Sequence, residues 1–191
     1  MPAPALEKLP DQLEDDQVVI RRYGVGDGPL IFAMIAESRD HLRPWQDWVD
    51  TTRDVAVTKQ NVEKNIFLWN RREAFRMCIA QKSDGQLLGI ISLHNSNWSV
   101  PSFEVAHWLR GAAEGKGWMT RALKLACKFA FEHLGARRLY LTCNQVNLRS
   151  AAVAQRTGFK LEGILRNERL DPFGKLRDTM MFSMIPEEHH A

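Results

Sequence analysis

SFEVAHWLRGAAEGKG, residues 102–117, decides how the rest of the chain reads. Ser102 to Leu109 alternates apolar and polar positions and reads as a strand. It runs directly into a loop bearing Gly111, Gly115 and Gly117. From Lys116 to His133 the residues Met119, Ala122, Leu123, Ala126, Phe129 and Ala130 recur at helical spacing, and Gly135 is a stop signal. This order places the N-terminus of a helix beside the glycines, where unpartnered N–H groups and the positive dipole end favour an anion. Gly115 and Gly117 carry no Cβ, so the backbone there can bend into a nest around a pyrophosphate. A plain strand-to-helix turn would look the same. The dinucleotide fingerprint GxGxxG is excluded by Thr120 at the third-glycine position, and no GK[ST] motif supplies a kinase-type phosphate loop.

Working outward, Val18 to Tyr23 reads as a first strand closed by the turn-forming GVGDG. Pro29 to Arg39 has helical periodicity and runs into HLRPWQDWV, where Pro44 breaks the helix. Val57 to Arg72 is a second helix, with Val62, Ile66 and Trp69 on one face. Two strands, 74–81 and 86–93, are joined by the hairpin turn SDG. Beyond the central stretch come a strand at 138–143, a short helix at 148–157, a long strand at 159–170, the DPFGK turn, and a last strand at 176–185. No repeat or linker interrupts this order. The reading is one α/β domain with a mixed sheet over residues 18–186, preceded by a loosely held arm (1–17) and followed by a short tail (187–191).

The 191 residues are 45% hydrophobic and 26% charged, an ordinary globular balance that can bury a core without disulfides or metal. A formal charge of +3, with no basic run interleaved with aromatics, disfavours a nucleic-acid partner. Apolar stretches are broken by charges well before membrane-spanning length, and no secretory signal is expected. Cys78, Cys127 and Cys143 form no CxxC pair, so no metal site is expected; they read as core thiols of a protein in the reducing cytoplasm. His189 and His190 read as a solvated tail.

The order of the later motifs adds more. HLRPW (41–45), the EVAHWL strand (104–109), AAEGKG (112–117), N-x-x-S (Asn147 to Ser150), TGFKLEG (157–163) and LRD (176–178) occur in sequence. On these pieces the chain resembles the GNAT superfamily of acyl-CoA-dependent N-acyltransferases, most closely the RimJ/RimL type that acetylates ribosomal-protein N-termini. The resemblance implies a mostly antiparallel mixed sheet with flanking helices, splayed between its fourth and fifth strands, with acetyl-CoA in the cleft. It implies that the backbone of Trp108, Leu109 and Arg110 pairs with the pantetheine amides like an added strand. The amides of Ala112, Ala113, Glu114, Gly115, Lys116 and Gly117 would hold the pyrophosphate, and Asn147 would hydrogen-bond the pantetheine arm. The family's loop often begins with Gln or Arg where this chain has Ala112, a departure that backbone binding tolerates. Arg121, Arg149 and Arg156 are candidates to reach phosphates, or else solvated helix faces.

Acyl transfer to an amine needs a base for the amine proton, a donor for the oxyanion and an acid near the leaving thiolate. Many members of the superfamily are said to use a Tyr as that acid, at the position Ala154 occupies here. By the resemblance Ser150 stands in for it, binding CoA and assisting the thiolate; alternatively it simply starts the short helix. Glu168 is the first candidate base and Glu104 the second, each with an expected upward-shifted pKa among apolar neighbours. His107 reads as a satisfied core residue. The acceptor side is expected from Arg43, Trp45, Trp48 and the 95–98 loop. The activity implied is acetyl transfer to a primary amine, most simply a protein or peptide N-terminus such as that of a ribosomal protein, by an enzyme able to form a homodimer. The alternatives are a small amine acceptor, another donor such as succinyl-CoA, or a non-catalytic acyl-CoA-binding module.

Overall fold

A computed structural model describes residues 8–189. Eight strands form one sheet: β1 (Gln12–Glu14), β2 (Val18–Arg22), β3 (Phe75–Gln81), β4 (Leu87–Asn97), β5 (Ser102–Leu109), β6 (Arg138–Asn144), β7 (Lys160–Leu170) and β8 (Leu176–Met184). Their order is β1-β2-β3-β4-β5-β6-β8-β7. Every neighbouring pair is antiparallel except β5 and β6, which are parallel. The helices are α1 (Asp27–Glu37), α2 (Arg39–Leu42), α3 (Val55–Asn70), α4 (Trp118–Lys128) and α5 (Leu148–Arg156).

The sheet is covered on both faces, which explains the near-continuous apolar runs of β3 and β4. Along β3, Met77 and Ile79 enter one core cluster with Leu93, Phe103, Leu123 and Phe129, while Cys78 and Ala80 enter a second with Ile31, Met34, Ile35 and Val62. The period-2 alternation of a strand thus feeds two cores. Asp27 anchors α1. Its carboxylate accepts two hydrogen bonds from the Arg21 guanidinium, both at 2.8 Å, and a third from the Gly24 N–H at 2.7 Å. Burial acts to raise its pKa, but these donors outweigh it and the net shift is downward.

Three sequence expectations change. In the arm expected to be loosely held, Gln12–Glu14 pairs with β2, and Asp15 and Asp16 accept from the Arg121 guanidinium at 2.8 and 2.6 Å; residues 1–7 lie outside the described residues. The expected 116–133 helix begins at Trp118, and its last turn, Phe129–His133, widens into a π turn before Gly135 (φ +64°). His189 is not a solvated tail: its ring packs 5.1 Å from that of Phe131. His190 lies outside the described residues.

The decisive feature is a fork. β5 and β6 share three register pairs, Ser102↔Arg138, Phe103↔Leu139 and Glu104↔Tyr140, and then separate. These are the fourth and fifth strands counted from Val18, so the splay lies where the resemblance puts it. β5 meanwhile stays with β4 to the pair Gly89↔Leu109. There the two backbones approach so closely that a Cβ on Gly89 would meet the Trp108 carbonyl oxygen at 2.1 Å and Leu109 Cα at 2.8 Å. Both obstacles are backbone and cannot rotate away. Gly89→Ala is therefore expected to push β5 out of register and lower the Tm by roughly 5–10 °C, a cost of about 3 kcal/mol. Differential scanning calorimetry checks it, and an unchanged Tm would mean that the approach is not rigid.

Candidate active site

Beyond Glu104↔Tyr140 the separating strands open a cavity of about 1310 Å³. β5 lines it from Glu104 to Leu109, and β6 lines it from Leu141 to Asn144. The glycine loop, the first turn of α4, the face of α5, residues of the 40–47 segment and the β7–β8 hairpin line the rest, with His41 against the loop.

The backbone edge of β5 faces this space. The Arg110 N–H bonds the Leu88 carbonyl at 2.9 Å, so alternation directs the N–H and C=O groups of Leu109 and His107 toward the open edge. By the same alternation the Trp108 backbone turns to β4, although Leu109 and Trp108 both line the cavity. Arg110 does not: its N–H belongs to β4 and its guanidinium pairs with Glu37 at 2.5 and 3.1 Å.

In the loop, Gly115 (φ +75°) and Gly117 (φ +80°) take the left-handed conformation, and Gly117 is the N-cap of α4. Nothing stands within 4 Å of a Cβ at either position, so backbone conformation rather than space requires glycine there. The N–H groups of Ala113 and Glu114 turn inward, to Arg110 and Gly111 carbonyls. Glu114, Gly115 and Gly117 line the cavity, whereas Ala112, Ala113 and Lys116 do not. The Glu114 carboxylate binds His41 Nε2 at 2.9 Å and also pairs with Arg149. Of the arginines considered for phosphate, Arg121 is engaged by Asp15 and Asp16, Arg149 by Glu114, and Arg156 lines the cleft beside Thr120.

Asn147 caps α5 by accepting the Ser150 N–H at 3.1 Å, and both residues face the cavity. The Ser150 hydroxyl is also in hydrogen-bond contact with the Cys143 thiol; burial raises the pKa of that thiol, partly opposed by Ser150 and Arg177. Ala154, where a Tyr acid would stand, is fully buried in the core.

The two candidate bases separate clearly. Glu104 sits at the apex of the fork with its side chain 14% exposed. It accepts from Asn95 Nδ2 at 2.7 Å and Thr142 Oγ1 at 2.8 Å, and His94 Nε2 lies 3.6 Å away. Glu168 does not line the cavity. Arg169 donates to it at 2.5 and 2.9 Å and Thr179 at 2.9 Å. The expected upward shift is wrong for Glu168: led by the Arg169 hydrogen bonds, its pKa falls, because the neighbours are donors rather than apolar groups.

On the acceptor side Trp45 lines the cavity, but Trp48 packs on Trp108 (5.8 Å between ring centroids) and Trp98 on Phe103 (5.2 Å) as core. Arg43 turns to Asp50. Sequence reasoning missed His94, Asp47, Thr142, Arg169 and Arg177, all in the cavity wall. Arg177 was visible as the middle of LRD, and His94 immediately precedes the loop that was named. His107, read as a satisfied core residue, is in the wall as well, and burial lowers its pKa to about 4, leaving a neutral imidazole. His94 Nδ1, His107 Nδ1 and Arg177 Nη1 are buried without a hydrogen-bond partner, and all three residues line this one cavity. Buried unsatisfied donors and acceptors are costly, and a polar ligand with amides and phosphates suits a wall built this way. Among the described residues no group of three or more His, Cys, Asp or Glu is placed to hold a metal ion, and no helix is long and apolar enough to cross a membrane.

Known proteins share this architecture. Over 176 residues the chain is 27% identical to YdaF of Bacillus subtilis (strain 168), covering 91% of this chain and 94% of that protein. It is also 27% identical over 136 residues to the ribosomal-protein-serine acetyltransferase of Escherichia coli (strain K12), covering 71% and 75%. The solved structure of RimL, a ribosomal L7/L12 alpha-N-protein acetyltransferase in complex with coenzyme A, superposes with a TM-score of 0.85 at 22% identity, over 94% of this chain and 98% of that one. The family description "Acetyltransferase (GNAT) domain" matches residues 17–160. With the split parallel pair, the left-handed glycine loop and this match over most of its length, the chain belongs to the GNAT family of acetyltransferases.

Proposed function

We propose that this protein transfers the acetyl group of acetyl-CoA to the N-terminal amine of a protein or peptide in the cytoplasm, with Glu104 as the base and Ser150 assisting the leaving thiolate. The observation that carries this reading is the fork: one polar carboxylate stands where β5 and β6 part, at the floor of the cavity they open. The relatives that act on ribosomal proteins support the acceptor class, and the three buried free cysteines suit a reducing compartment.

The chemistry follows from the placement. The open edge of β5, with Leu109 and His107, offers N–H and C=O groups to the pantetheine amides, and one of these N–H groups suits the developing oxyanion. Gly115, Lys116, Gly117 and the start of α4 present N–H groups to the pyrophosphate. Glu104 takes a proton from the acceptor ammonium; the freed nitrogen lone pair attacks the thioester carbon, the C–N bond forms and the C–S bond breaks. A second nitrogen proton reaches the thiolate through Ser150 or water. Glu168 then serves to orient Arg169 at the acceptor wall rather than to accept a proton.

Two tests follow. Calorimetry should register acetyl-CoA binding, and free thiol should appear only with peptides whose N-terminus is unblocked. Turnover of polyamines or amino acids in their place would reassign the acceptor, a faster rate with succinyl-CoA would reassign the donor, and binding without any turnover would make the chain an acyl-CoA-binding module. In the second, Glu104→Gln should reduce kcat/KM by about 100-fold or more and Ser150→Ala by roughly 10-fold, both with acetyl-CoA affinity retained. Glu168→Gln should change kcat by less than either, and a larger loss from Glu168→Gln than from Glu104→Gln would exchange their roles.

A further inference from the structure

In the proposed reaction Glu104 must shed a proton in every cycle. A base that has taken the acceptor's proton must pass it on before the next turnover. Its two nearest partners are poor carriers: Asn95 offers an amide donor to Oε2, and Thr142 a weakly basic hydroxyl to Oε1. With its side chain only 14% exposed, Glu104 has limited access to bulk water of its own.

His94 supplies what is missing. It directly follows the run of buried residues in β4, pairs in register with Glu104 on β5, and its Nε2 lies 3.6 Å from Glu104 Oε2. That is too long for a hydrogen bond in the resting protein, yet a small ring rotation closes it. Its side chain is 31% exposed, more than twice the exposure of Glu104, and it lines the cleft. Its Nδ1 is buried without a partner.

Resting on the reading of Glu104 as base, we infer that His94 is a positioning residue that forms a two-residue proton relay with Glu104. The proton taken from the acceptor ammonium passes from the Glu104 carboxyl to His94 Nε2 and then to water, restoring both groups. The net change is ammonium plus thioester giving amide, thiol and one released proton, and the relay carries that released proton.

The surroundings of His94 favour carrying over trapping. Burial pushes its pKa down and Arg76 on β3 pushes it down further, while the Glu104 charge on β5 and a hydrogen bond to the Glu104 backbone oppose them. The net downward shift keeps the imidazole neutral at neutral pH and makes its protonated form short-lived. The remaining groups of the cluster act on Glu104 or Asn95: Tyr140 on β6 hydrogen-bonds Asn95, and Arg169 on β7 feels both Glu104 and Asp47.

The test compares wild type, His94→Ala and His94→Gln on one unblocked peptide with acetyl-CoA. The expected outcome is a kcat lower by roughly 10- to 100-fold in both variants with KM for acetyl-CoA little changed. The acid limb of the wild-type pH–rate profile should shift in both, and added imidazole should restore His94→Ala but not His94→Gln. Wild-type kcat in His94→Ala overturns the relay, as does a loss that imidazole cannot rescue with the acid limb unmoved. A nuclear magnetic resonance titration of the His94 ring needs no turnover and so stands even if the acceptor class is wrong. Glu104→Gln removes the charge that raises the His94 midpoint and should lower it; an unmoved midpoint overturns the coupling on which the relay depends.

Discussion

Two parallel strands that hold together for three residues and then part are the constraint on which the rest of the structure depends. An interior sheet edge is costly, because its N–H and C=O groups need partners. Here β5 keeps its β4 side paired to the end and leaves only its β6 side open. The close backbone approach at Gly89 fixes β5 against β4, and Trp108 is wedged against Trp48, so β5 cannot swing back to close the gap. The open edge is thereby held ready for an extended, amide-bearing ligand, whose affinity benefits because the edge is ordered before binding.

The polar groups around the fork sort by distance from its apex. At the apex are Glu104, hydrogen-bonded by Asn95 and Thr142, and His94 with its Nε2 3.6 Å away. At the far end are the left-handed glycines, the N-terminus of α4, and Glu114 holding His41 and Arg149 beside the loop. Ser150 lies on the first turn of α5 with its N–H fixed by the Asn147 cap, and its hydroxyl meets the Cys143 thiol. For Ser150, starting the helix and the proposed assistance to the thiolate, left as alternatives by the sequence, are compatible.

Much of the frame was legible because it is written locally. The strand at 102–109, the helices beginning near residues 118 and 148, and the β7–β8 turn all follow from periodicity and turn chemistry within a few residues. The Asp171 carboxylate, for instance, accepts the N–H groups of Phe173 and Lys175 inside the same turn. What was not legible is which partner each charge takes. Arg121 reaches Asp15 across a sequence separation of 106, and Arg110 reaches Glu37 across 73. Only the folded topology sets these pairs, and they removed two arginines from the expected site. Glu168 shows the same limit: its immediate neighbour Arg169 and cross-strand Thr179 lower its pKa, while a reading of the strand alone supposed apolar company.

This division explains how a chain sharing 22% identity with the solved RimL structure keeps its architecture at a TM-score of 0.85. A cofactor edge made of main-chain groups places few demands on side chains beyond glycine at positive φ and a residue small enough for close approach. Ala112 can therefore stand where the family often has a longer side chain, and Ala154 can disappear into the core without disturbing the edge. The acceptor wall is built in the opposite way, from the side chains of Trp45, Asp47, Arg169, Leu170 and Arg177 on a loop and a hairpin with register shifts. Side chains on such segments change readily without cost to the sheet, so acceptor choice is free to diverge while the donor cleft stays the same. Glu104 and His94 stand at the boundary between the two halves, fixed by strand register, where the proposed relay would act on the acceptor's proton. Chemistry anchored in the sheet can thus serve whatever amine the variable wall admits.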